Sequence, residues 1–140
     1  MSTPHHQVQI PKLLDITSVK DDRGSLLSVE YSILPFAPQR SYFITARKSE
    51  VPRVAHAHKE LEQLIFPLEG SWLVEVQRGP GKYKFQLSDM EQALFIPREY
   101  WREIYCLSPK GILGLIVSQA YTEQDYIRNF ADYVKWLAID

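Results

Sequence analysis

Apolar residues in this chain come in short runs: Ser25 to Tyr31, Arg40 to Ala46, Leu64 to Leu68, Trp72 to Gln77, Tyr83 to Leu87, Ala93 to Ile96, Ile104 to Leu107 and Ile112 to Val117. Each is the length of a β-strand. Between them stand Asp21-Asp22-Arg23-Gly24, Pro35 to Pro38, Glu69-Gly70, Gly79-Pro80-Gly81, Pro97 and Ser108 to Gly111, where glycine supplies positive φ and proline fixes φ. Many short strands without alternating helices predict an all-β, antiparallel sandwich or barrel of the jelly-roll kind. The pattern changes only near the end. From Thr122 to Leu137, residues Tyr126, Phe130, Tyr133, Val134 and Leu137 recur at spacings of three and four, predicting an amphipathic helix over residues 122–137 that covers an end or edge of the sheet. Residues 1–9 are polar, carry His5 and His6, and are expected to be a frayed terminus.

The chain has 140 residues, 45% hydrophobic and 24% charged, which suits one domain spanning 1–140. A formal charge of -1 and a pI near 6.4 provide no global field for nucleic acid or a membrane surface, so an anionic ligand would need local arginines. The single cysteine, Cys106, excludes an intrachain disulfide and reads as a small core residue. No secretory segment or long apolar stretch is visible, and a cytoplasmic location is expected.

The most informative segment is His56-Ala57-His58. Side chains alternate along a strand, so the two histidines share a face and Ala57 takes the other. The spacing resembles a metal-binding cupin strand, in which a carboxylate follows the second histidine after four residues and precedes a glycine by six. That carboxylate position is Gln63, before Gly70. The further cupin histidine, five residues after a proline, corresponds to Arg102, counting from Pro97. A guanidinium is a permanent cation and would repel a metal ion, so no metal is expected. The pair is either structural or chemical.

Arg40-Ser41-Tyr42-Phe43-Ile44 reads as a strand with Arg40, Tyr42 and Ile44 on one face. Facing the interior, Arg40 and Tyr42 would give the histidine pocket a cation and a phenol, suited to an anionic, hydroxyl-rich ligand; facing solvent, they would have no such role. Arg23 lies in a turn and Arg53 just before the histidines. Trp101 and Arg102 follow Pro97 at a strand mouth, where they suit a planar base and its phosphates, though Trp101 fits a core position equally well. Neither a glycine-rich phosphate loop nor a serine nucleophile elbow is present.

Asp22-Arg23-Gly24-Ser25-Leu26, Arg40-x-Tyr42-Phe43-Ile44, Pro52-Arg53-x-x-His56-Ala57-His58-Lys59-x-Leu61-Glu62-Gln63, Glu69-Gly70-Ser71, Ile96-Pro97 with Trp101, and Asp125-Tyr126-Ile127-Arg128 occur in order over about residues 10–135. With these motifs the chain resembles the sugar-nucleotide 3,4-ketoisomerases, small enzymes of the cupin superfamily. The resemblance implies a cupin-type jelly-roll barrel that isomerises dTDP-4-keto-6-deoxyglucose to a 3-keto sugar, without metal or organic cofactor, as a homodimer. It implies a place in the biosynthesis of 3-amino-3,6-dideoxy sugars of cell-surface polysaccharides such as lipopolysaccharide O-antigen. One departure is Trp101-Arg102-Glu103, where relatives often have Trp-His-Glu.

Moving a carbonyl from C4 to C3 requires a base for the C3 proton and stabilisation of an enediol. On this resemblance His58 is the base, His56 orients the sugar or exchanges protons with its oxygens, and Tyr42 donates to the enediolate. Arg23, Arg40, Arg53, Gln63, Trp101 and Arg102 are candidates for binding the sugar nucleotide. A non-catalytic sugar-nucleotide-binding cupin and a dTDP-sugar 3,5-epimerase are the alternatives.

Overall fold

In the computed structural model, residues 9–88 and 90–139 are described. The strands are β1 (Lys12–Asp15), β2 (Thr17–Asp21), β3 (Gly24–Ser28), β4 (Arg40–Arg47), β5 (Val54–His58), β6 (Gln63–Glu69), β7 (Trp72–Arg78), β8 (Gly81–Leu87), β9 (Gln92–Ile96), β10 (Trp101–Cys106), β11 (Lys110–Val117) and β12 (Tyr126–Ile127). One helix, α1 (Phe130–Ile139), follows. Two five-stranded sheets, ordered β1-β9-β6-β11-β4 and β12-β5-β10-β7-β8, form the two walls of a jelly roll, and every pairing is antiparallel.

Burial explains the different strand patterns. In β4 alternate residues are shielded and exposed, and Phe43 is 61% exposed while Tyr42 and Ile44 pack on the core between the sheets. That core gathers Ile65, Trp72, Val74, Leu94, Ile104, Leu113 and Leu115. β6, by contrast, is apolar on both faces: Ile65 points into the barrel, while Leu64 and Phe66 join an outer cluster with Phe95, Ile116 and the segment containing Ile33, Leu34 and Phe36. A strand covered on both sides has no need of a polar face. Pro67 is tolerated in this central strand because pairing with β9 ends at Ile65 and the β11 register shifts beside it.

Between β6 and β7, Gly70 adopts φ 84°, and a Cβ there would come within 2.8 Å of the Lys110 carbonyl oxygen, so only glycine fits the bend.

The amphipathic reading of residues 122–137 is corrected. A 3-10 turn, Glu123–Asp125, comes first, then β12, and the helix spans only Phe130–Ile139. Tyr126, part of the expected helical stripe, instead pairs with His58 on the free edge of β5. Spacing in sequence cannot reveal that an open strand edge offers hydrogen bonds. Gln9, expected to fray, has its carbonyl bonded by the Tyr100 hydroxyl at 3.0 Å; the other residues of that terminus, including His5 and His6, lie outside the described residues. Among the described residues, no helix is long and apolar enough to cross a membrane.

Candidate active site

β5 and β10 run side by side with Arg102 opposite His56 and Trp101 opposite Ala57. Opposite residues share a face, so one face of this pair carries His56, His58 and Arg102 into the barrel, and the other carries Ala57 and Trp101 outward. Trp101 is 5% exposed, and packs with Ala57, Ile127 and Tyr133 under α1, its Nε1 donating to Glu103 at 2.9 Å. β10 begins at Trp101 itself. Trp101 is therefore part of the core beneath the helix and does not line the cavity that opens from the barrel, because strand alternation puts it on the opposite face from its neighbour Arg102.

The barrel opens into a cavity of about 290 Å³ lined by Tyr42, Ile44, Arg53, Val54, Ala55, His56, Gln63, Leu115, Tyr126 and Arg128. His56 forms part of the wall. His58 is 0% exposed, and its Nε2 lies 3.1 Å from Nε2 of His56. On its other side, His58 Nδ1 is 2.9 Å from Oδ2 of Asp125, a buried carboxylate that also accepts the backbone N–H of Glu60 at 2.7 Å and of Leu61 at 3.3 Å. The Tyr126 ring packs on both imidazoles, with centroids 4.9 Å and 4.4 Å away.

Arg102 is completely buried, and its two bonded partners are neutral: Nη1 donates to Gln63 Oε1 at 2.5 Å and Nη2 to the Tyr100 carbonyl at 3.0 Å. Its Nε has no partner among the described residues. Gln63 in turn donates to the Tyr42 hydroxyl at 3.4 Å. Arg40 shares the inner face of β4, with its guanidinium 4.8 Å from the Tyr42 ring centroid and 5.8 Å from that of Tyr121. Arg53 donates from Nε to the Thr45 carbonyl at 3.2 Å, and Arg128 lies 4.2 Å above Tyr126 while paired with Glu123 at 2.7 Å. Arg40 and Tyr42 thus face the interior. Arg23 is different: it is exposed, held by Asp21 at 2.7 Å in the turn of a β2–β3 hairpin that pairs with neither main sheet, and does not line the cavity.

Burial and positive neighbours set the protonation states. Burial, helped by Arg102 and His58, pushes His56 down to about 2. His58 is lowered to about 4, mainly by burial, with Arg102 adding to the shift and the Asp125 hydrogen bond opposing it. Both rings are neutral near pH 7. Burial lowers Arg102 to about 10, so it stays cationic. Burial raises Tyr42 above the usual phenol value, assisted by Tyr126, and keeps it a proton donor. Burial pushes the Asp125 carboxyl up, but the hydrogen bonds from His58 and Glu60 prevail and hold it below the ordinary range.

This donor set does not fit a metal ion. Two imidazoles converge, but the remaining positions hold an amide whose oxygen already accepts from a guanidinium, and no described group of three histidine, cysteine or acidic side chains is placed to hold a metal. The arrangement can instead pass a proton between two neutral rings beside a fixed cation and a phenol.

A family model described as FdtA, WxcM-like, C-terminal, matches residues 9–138. The chain belongs to this family of sugar-nucleotide 3,4-ketoisomerases. A TDP-4-oxo-6-deoxy-alpha-D-glucose-3,4-oxoisomerase of Aneurinibacillus thermoaerophilus is 33% identical over 128 residues, covering 91% of this chain and 92% of the relative. Among solved structures, a 3,4-ketoisomerase from Helicobacter canadensis is 33% identical with a TM-score of 0.83, covering 91% of this chain and 97% of that one. The ketoisomerase QdtA of Thermoanaerobacterium thermosaccharolyticum, a histidine-to-asparagine mutant in complex with TDP-4-keto-6-deoxyglucose, is 28% identical with a TM-score of 0.84, covering 95% and 97%.

Of the residues singled out in the sequence, Tyr42, Arg53, His56 and Gln63 line the cavity, while Arg40, His58 and Arg102 stand directly behind them. Asp125, Tyr126 and Arg128 were missed as site residues. Their only signal was the Asp125-Tyr126-Ile127-Arg128 string, which the helical spacing absorbed.

Proposed function

We propose that this ketoisomerase converts dTDP-4-keto-6-deoxyglucose to its 3-keto isomer through an enediol, with neither metal nor organic cofactor. The observation that carries the reading is the contact between His56 and His58, two neutral imidazoles 3.1 Å apart at a cavity backed by a buried cation. The relatives named for this reaction, and the neighbour holding TDP-4-keto-6-deoxyglucose, support the substrate class.

In this reading the C3–H bond breaks, its electron pair forms the C3–C4 double bond, and the proton passes to the histidine pair. The charge on O4 is met by the Arg102 field and the Tyr42 hydroxyl. The proton returns at C4, and the O3 hydroxyl proton leaves as the C3 carbonyl forms, O4 gaining one in exchange. Positioned proton transfer of this kind contributes about 10²–10⁴-fold. His58 as the base and His56 as the group that orients the sugar or exchanges protons with its oxygens then act as one pair: His56 has the cavity wall, while His58 has the carboxylate. Arg53 and Arg128 at the cavity, with Arg40 behind Tyr42, are suited to sugar or diphosphate oxygens.

A cavity near the lower end of small-molecule sites, about 300–1,000 Å³, suits the sugar, with the nucleotide reaching beyond it. A homodimer is proposed as well, because the open strand edges at β4 and in the β2–β3 hairpin invite pairing with a second copy. The 3-keto product fits an aminotransferase that makes 3-amino sugars.

Incubation with dTDP-4-keto-6-deoxyglucose in deuterated buffer, followed by NMR, tests the reaction. Deuterium at C4 and a carbonyl at C3 support it. Deuterium at C3 and C5 with the carbonyl still at C4 would mean epimerase chemistry, and no exchange at all would mean a binding protein.

A further inference from the structure

We propose that Asp125 is a positioning residue that fixes the tautomers of the proton-transfer pair: His58 carries its proton on Nδ1, facing the carboxylate, and His56 donates its Nε2–H to Nε2 of His58. This rests on the ketoisomerase reading only for its catalytic consequence; the protonation pattern follows from the geometry of an ionised carboxylate and two neutral rings.

An ionised carboxylate only accepts hydrogen bonds. Asp125 accepts from Glu60 N on Oδ1, and from Leu61 N and the His58 ring on Oδ2, and it is 6% exposed. The 2.9 Å contact therefore requires a proton on His58 Nδ1. A neutral imidazole has one such proton, so His58 Nε2 carries a lone pair. Across 3.1 Å it meets Nε2 of His56, and two lone pairs at that distance would repel, so His56 must hold its own proton there. Nδ1 of His56 is then unprotonated.

The carboxylate is delivered from far along the chain. Asp125 ends the 3-10 turn before β12, its carbonyl accepts the Lys59 N–H at 3.0 Å, and its side chain clasps the chain leaving β5. The other groups facing the pair are Arg102 from β10, Tyr126 from β12 with Arg128 just after it, and Arg40 and Tyr42 from β4. The arginines disfavour a second proton in the resting pair. When the C3–H bond breaks and its proton enters the pair, the new positive charge rests on His58, against Asp125. The carboxylate thus supports the imidazolium without itself being protonated.

Long-range ¹H–¹⁵N spectra of the imidazoles in the ¹⁵N-labelled wild-type protein, with His58 assigned by its loss in His58→Asn, test the pattern. A protonated Nδ1 and unprotonated Nε2 on His58 are expected; the reverse tautomer overturns the proposal. Asp125→Asn presents an N–H to His58 Nδ1 and reverses the ring. It should lower kcat by about 10²-fold or more, while leaving KM and TDP affinity within about threefold. A kcat near wild type, or an effect on KM alone, overturns the positioning role. Should this variant not fold, the wild-type spectra still decide. Should the wild-type enzyme fail to isomerise the sugar, the functional reading falls and the tautomers remain separately measurable.

Discussion

Arg102 donates to the side-chain oxygen of Gln63 at 2.5 Å, so the two positions where a metal-binding cupin would hold ligands are bonded to each other. Enzyme treated with a strong chelator and then passed through a desalting column is expected to retain its full turnover. Loss of activity that returns with a stoichiometric first-row metal would contradict this.

Arg102 is also a fork with two separate acceptors, Gln63 and the Tyr100 carbonyl. Arg102→Lys preserves charge but cannot serve both in the same geometry. A fall in kcat of about tenfold or more with a small change in KM is expected if the guanidinium acts on the enediolate, and steady-state kinetics measure the split. An unchanged kcat would remove Arg102 from the reaction.

The shared role of the histidines makes a specific forecast. His56→Asn and His58→Asn should each lower turnover by about 10²-fold or more, while TDP binding measured by calorimetry stays within a few fold. The double variant should be little worse than either single one, because groups that act as a unit are not additive. Near-normal activity in either single variant would return that histidine to a structural role.

Stability should fall with acid. An unfolded histidine titrates near about 6.5, whereas the folded His58 and His56 are held at about 4 and about 2. Below about pH 6.5 the unfolded chain binds more protons, so the stability present at neutral pH is lost as pH falls toward the folded values. Melting temperatures measured from about pH 7 down to 4 should decline, and His56→Asn should flatten the decline.

A test of the core lies away from the chemistry. A Cβ added at Gly114 in β11 would overlap the Phe66 ring of the neighbouring strand. Gly114→Ala is expected to destabilise by about 1–3 kcal/mol, read by denaturant unfolding, because a packed ring between strand and outer cluster has little room to move.

The sequence by itself determined the strands from β3 to β11, the turns between them and the shared face of His56 and His58, since alternation and turn chemistry are local rules that no packing has to supply, whereas β1, β2 and β12 fell outside its apolar runs. It also identified Gln63 and Arg102 as replacements for metal ligands, because ligand spacing along the chain is legible before folding. What it left open was which face met which. Arg40 and Tyr42 were assigned to the interior only when β4 paired with β11, and Trp101 was sent outward only when β10 paired with β5 beside Ala57. Asp125 and Tyr126 became site residues only when the segment before α1 closed on the edge of β5, with His58 and Asp125 67 positions apart in the chain. Such pairing depends on an unsatisfied strand edge elsewhere in the molecule, and a helical spacing of aromatic residues carries no trace of it.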